Sequence, residues 1–162
     1  MLTIALATAA LIALAPAPLP VGMDTDRVAA AREASTDPLE NARRLVSEGA
    51  FDAARREFLV AIVLDRDAGR VPTEASLAFS HMLFAQSRER EAATVLEGLA
   101  ADAWRLRSPD CEARALMDLA WLNVRAGRNT DARADVLRLR ELMRNPDVSV
   151  KTRSEINKRF RF

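Results

Sequence analysis

Few side chains in this sequence can do covalent or metal chemistry, and none stands in a reactive arrangement. His81 is the only histidine and Cys111 the only cysteine among 162 residues. Paired imidazoles and a C-x-x-C pair are both absent, so the usual zinc ligand sets cannot be assembled. Cys111 falls in the first turn of an expected helix, where a thiolate is favoured. The same place also suits a small, partly buried residue. Asp65 and Asp67, in the run DRDAG, supply the first two acids of a calcium loop. Position five is Gly69 and position twelve is Ser76, so that loop lacks two ligands and reads as a solvated turn. No G-x-S-x-G and no phosphate-cradling glycine loop is present. The residue types point away from catalysis, cofactors and metals, and toward a protein that works through its surface.

Such a surface needs a scaffold. Hydrophobic residues make up 49% and charged residues 29%, ordinary usage for one globular domain. Ala, Leu, Arg and Glu dominate, a mixture that favours helix. Alternating β-branched runs are missing, so no strands are expected. The net charge of +1 gives no global case for nucleic-acid binding.

The first 22 residues, MLTIALATAALIALAPAPLPVG, carry no charged side chain. The apolar run from Leu2 to Ala15 fits the core of a signal peptide better than a membrane span, which needs ~20 residues. Pro16, Pro18 and Pro20 end it. No basic residue precedes the run, and its small-x-small candidates are followed by proline. An uncleaved tether, or a start codon assigned too far upstream in a cytoplasmic protein, are therefore the alternatives to export to the periplasm or beyond. Membrane contact is expected only through this segment, if it is uncleaved.

Start and stop signals mark the helices. Residues 23–34 form a linker with a short helix near 28–34. Asp37 caps a helix over 38–48 with Pro38 at its first position, and Gly49 ends it. Further helices are expected at 52–64, 73–86, 89–106, 109–126 and 130–143. The run 65–72 is a loop, Ser108 and Pro109 repeat the start signal, and Gly127 the stop. A solvated basic capping helix with a frayed tail is expected within 147–162.

The helices form a repeat. EGAFDAARREFLVAI (48–62) aligns with AQSREREAATVLEGLA and with RAGRNTDARADVLRLR. Ala54, Ala92 and Ala132 coincide, at intervals of 38 and 40 residues, with Gly49, Ser87 and Gly127 at the turn. Small residues let paired helices approach to ~8–10 Å. Phe58, Leu96 and Val136 are placed to fill the space between one hairpin and the next.

This pattern resembles the tetratricopeptide repeat over residues 35–144. Ala42, Gly49, Phe51, Ala54, Phe58 and Ala61 follow it well. Ser80, Ala92, Leu96 and Leu99 follow it loosely, and Ala120, Gly127, Ala132, Val136 and Leu139 lie between. Asn41 and Asn123 depart from it, standing where the family usually has apolar residues. The units also run longer than the family's ~34 residues. The resemblance implies an all-α fold of three antiparallel helical hairpins stacked as a short superhelix.

In that family the first helix of each unit lines a concave groove. Carrying those positions over gives three rows: Leu39, Leu77 and Met117; Arg43, His81 and Trp121; Val46, Phe84 and Val124, with Arg125 beside the last. Such an apolar stripe with polar handles suits a peptide or protein ligand. It equally suits packing against the 24–34 helix or a second copy. The expectation is a non-catalytic adaptor; the alternative is a structural subunit of a larger assembly with no peptide ligand. Oligomeric state is left open.

Overall fold

Asp37 caps a helix that starts at Pro38, its carboxylate accepting a hydrogen bond from the Leu39 amide at 3.0 Å. The structure is a computed structural model in which residues 37–160 are described. The leader and the expected 28–34 helix lie outside the described residues. The described residues form seven helices: α1 (Pro38–Ser47), α2 (Phe51–Asp67), α3 (Thr73–Ala85), α4 (Glu89–Arg105), α5 (Pro109–Arg125), α6 (Asn129–Leu142) and α7 (Val150–Phe160). The described residues contain no strand.

The first five junctions share one geometry. Gly49, Gly69, Ser87, Arg107 and Gly127 have φ of 75°, 68°, 59°, 53° and 71°. In each turn the next amide reaches back five residues, from Ala50 to the Leu45 carbonyl, Arg70 to Asp65, Arg88 to Leu83, Ser108 to Ala103 and Arg128 to Asn123, at 2.8–2.9 Å. This is the Schellman ending, which satisfies carbonyls left over by the last helical turn. Side chains adopt its left-handed residue at a cost that glycine avoids. Ser87→Gly is therefore expected to stabilise the chain by about 0.5–1 kcal/mol, read as a melting midpoint higher by a few degrees. An unchanged or lower midpoint would mean that Ser87 is not strained.

Two local expectations change. α2 continues through Asp67, so the acids of DRD are helical and the turn begins at Ala68. Ser108 occupies the cap position of α5, but its side chain makes no capping hydrogen bond.

The fold is all-α, with hairpins stacked in chain order. Consecutive helices from α1 to α6 pack on one another, and α1, α3, α5 and α7 also touch in succession, forming one layer. α2 and α4 each bridge two members of that layer, while α6 backs α5. Three small-residue pairs set the close approaches. Ala42 with Ala54, Ser80 with Ala92 and Ala120 with Ala132 are all buried, each pair twelve positions apart. Phe58, 1% exposed, stacks on Phe79 of α3 with ring centroids 5.6 Å apart. It joins the first hairpin to the second. Leu96 is equally buried in the second unit, whereas Val136 in the third is only half-buried.

Ion pairs repeat with the hairpins. Arg55 Nη1 lies 3.0 Å from Glu91 Oε2, and Arg66 Nε lies 2.7 Å from Asp102 Oδ2, both tying α2 to α4 across 36 residues. Arg138 grips both oxygens of the buried Glu112, at 2.7 and 3.2 Å, tying α6 to α5. The two asparagines have partners suited to their polarity. Buried Asn123 donates to Asp135 at 2.8 Å, and Asn41 accepts from Arg44 at 2.7 Å. Burial raises the Asp135 carboxyl, and the Asn123 amide opposes that rise.

Candidate functional site

The layer of α1, α3, α5 and α7 presents the face on which the three rows were expected. The first row is mostly core. Leu77 and Met117 are only 8% and 5% exposed, and Leu39 is half-buried against the same cluster. Leu77 shares a face with His81 one turn later, as Met117 does with Trp121. Their burial therefore comes from neighbouring helices closing over that level, and Leu77 and Met117 are corrected from groove lining to core.

The second and third rows diverge along the layer. Arg43 is exposed and paired with Glu40 at 2.6 Å and more loosely with Glu74 at 3.9 Å. Val46 packs against the core, and Val124 stands in solvent. His81, Phe84 and Trp121 converge. They line a cavity of about 540 Å³, open to solvent on one side, between α3, α5 and α7, with Leu96 of α4 among its lining. The Phe84 and Trp121 rings meet edge to face at 4.9 Å. The Arg125 guanidinium lies over both, 5.1 Å from Phe84 and 5.2 Å from Trp121. Cation–π contact thus pins a long side chain at the rim.

Six lining residues were not among the expected site positions: Ser80, Leu96 and Leu122, which belong to the hairpin packing, and Asp118, Arg159 and Phe160. Asp118 stands 37 residues after His81, close to the repeat interval, which is its only sequence signal. Arg159 and Phe160 come from α7, expected to be a solvated cap. α7 instead buries Thr152 and Ile156 and brings Arg159 onto Asp118.

Asp118 is the polar centre of the cavity. Its Oδ2 accepts from His81 Nε2 at 3.0 Å, and its Oδ1 from Arg159 Nη1 at 2.6 Å. A carboxylate only accepts, so Nε2 carries the proton. Burial pushes the Asp118 carboxyl up, but the two hydrogen bonds outweigh it and hold the group below its ordinary value. The bond to Asp118 raises His81, against burial and the Arg159 charge. A raised histidine stabilises the fold fully below its unfolded value of 6.5, and the contribution fades as pH climbs through the higher folded value. The melting midpoint is thus expected to fall as pH rises above 6.5, and Asp118→Asn to flatten that slope. An equally steep slope in the variant would remove the pair as its source.

The Ser80 hydroxyl donates to the Leu77 carbonyl at 2.8 Å, and both Asp118 oxygens are engaged. Among the described residues, no group of three or more His, Cys, Asp or Glu side chains is placed to hold a metal ion. What the cavity offers is an aromatic and aliphatic wall beside nitrogen donors.

No family model, curated protein or solved structure matches this chain.

Proposed function

We propose that the chain is a non-catalytic scaffold of the tetratricopeptide kind that binds a peptide or protein segment on its α1–α3–α5–α7 face. One observation carries this reading: His81, Phe84 and Trp121, from two successive hairpins, meet around one open cavity. Its volume lies within the ~300–1,000 Å³ of typical ligand pockets. An aromatic beside an arginine is also the composition of an interface hot spot. Export through the N-terminal segment remains part of the proposal. Among the described residues, no helix is long and apolar enough to cross a membrane.

Panning a displayed random-peptide library against the full chain and against Trp121→Ala tests the reading. Peptides enriched by the wild type are expected to lose binding by tenfold or more, about 1.4 kcal/mol. Trp121 is 41% exposed, so the melting midpoint should move by only a few degrees. A large drop in midpoint would make Trp121 a packing residue instead, and no enrichment at all would end the groove reading.

A second reading, a structural subunit, draws on apolar side chains outside this cavity. Trp104, Leu137 and Val63 are 69%, 52% and 50% exposed. Light scattering of the purified chain distinguishes the two: an obligate oligomer favours the subunit and a monomer the scaffold.

A further inference from the structure

We propose that the cavity between α3, α5 and α7 recognises an acidic peptide segment, holding a bulky apolar side chain against its aromatic wall and a neighbouring carboxylate on its nitrogen donors. This rests on the scaffold reading and names the chemistry of its ligand.

The argument is an accounting of donors and acceptors. Among the described residues, Asp118 is the only carboxylate lining the cavity, and each of its oxygens already accepts a hydrogen bond. The donors are in surplus. Arg159 spends Nη1 on Asp118, leaving Nε and Nη2 for another acceptor. His81 spends Nε2, and its side chain remains 66% exposed with Nδ1 to offer when protonated. At the rim, Arg125 is held over the two rings and sits 3.5 Å from Glu89, longer than a good charge-assisted hydrogen bond. A ligand that brings donors finds a single carboxylate already shared by His81 and Arg159, whereas one that brings a carboxylate finds the Arg159 and Arg125 guanidiniums, joined by His81 when it is protonated. The remaining wall is apolar. Phe84, Leu96, Trp121 and Leu122 come from the hairpins and Phe160 from α7. That wall suits one large apolar side chain rather than a chain of charges alone. α7 therefore does more than cap the stack: it supplies the cation and the far wall of the site.

The test uses three fluorescent peptides of equal length, each with a central leucine flanked on both sides by two glutamates, two glutamines or two lysines. Binding to the full chain is read by anisotropy at low and at physiological salt. The glutamate peptide is expected to bind about tenfold tighter than the glutamine peptide, with the gap narrowing as salt rises. The lysine peptide is expected to be weakest. Arg159→Gln should bring the glutamate-to-glutamine ratio close to one. Arg125→Gln, which does not touch Asp118, should lower the ratio even if the Arg159 variant folds poorly. Equal binding of glutamate and glutamine peptides would overturn the acidic preference and leave the groove standing. Tightest binding by the lysine peptide would overturn it and make Asp118 the recognising group. Binding by none of the three, with peptides from the library still captured, would overturn the ligand chemistry alone. Failure of the library as well would remove the scaffold reading with it.

Discussion

Replacing Phe58 with alanine is expected to destabilise the chain by about 3–5 kcal/mol, the range for deleting a buried phenylalanine side chain from a packed core. Phe58 is 1% exposed and stacks on Phe79, itself 2% exposed. Its position amplifies the loss. α2 and α3 touch less than the other neighbouring helices up to α6, so this aromatic pair is a large share of what holds the first hairpin to the second. Stacked hairpins owe their stability to intrinsic terms plus interfaces with their neighbours. Weakening one junction should therefore lower the melting midpoint by roughly 10–20 °C and also reduce cooperativity. The first hairpin would open ahead of the rest, seen as a smaller denaturant slope. Phe58→Leu should recover much of the stability, and the Phe58/Phe79 double variant should show coupling of ~0.5–1.5 kcal/mol. A loss under 1 kcal/mol in Phe58→Ala would contradict the packed junction.

The parts of this fold written in local chemistry were legible from sequence. Asp37–Pro38 and Ser108–Pro109 begin helices, Gly49 and Gly127 end them, and Ala54, Ala92 and Ala132 mark buried seams. Arg107 was not legible. Arginine has no intrinsic preference for positive φ, and its turn is left-handed because α4 and α5 must pack across it. The ion pairs sit near the repeat interval, yet many other charges share that spacing. Only the facing of α2 and α4 selects Arg55–Glu91 and Arg66–Asp102.

The site divides the same way. His81, Phe84 and Trp121 could be placed because successive hairpins repeat one face. Leu77 and Met117 lie on that face too, but sequence periodicity gives direction from a helix axis and not the cover supplied by neighbours. Asp118 became visible only once Arg159, 41 residues away, was seen to dock on it. That contact depends on how α7 turns back over α5, which is tertiary geometry without a local signature. The Asp110 carboxylate helps set that return by accepting from the Ser149 amide at 2.7 Å. Arg153 adds bonds to the Asn145 and Pro146 carbonyls, both at 3.1 Å.

Ala92→Leu is expected to cost about 1–3 kcal/mol by overpacking the seam between α3 and α4. Ala92 is fully buried, and its counterpart Ser80 is 1% exposed, so added methyl groups have no solvent to enter. The seam sits in the middle hairpin, with packed helices on both sides that resist a shift. The same change at Ala54 should cost less, because the first hairpin is joined to the second through the lighter α2–α3 contact and can shift against it. Ala92→Gly serves as the control. It removes volume and should lose only ~1 kcal/mol of helix propensity. An Ala92→Leu loss greater than that of both Ala54→Leu and Ala92→Gly identifies crowding between stacked units as the cause. Equal losses at Ala54 and Ala92 would instead indicate a uniform bundle without an interior unit. The change should also reach the cavity, because Ser80 lines it. Moving α3 away from α4 displaces His81 and Phe84 relative to Trp121, so peptide binding should weaken under conditions where the variant is still folded. Binding that survives intact in a folded Ala92→Leu variant would break the link between the seam and the site.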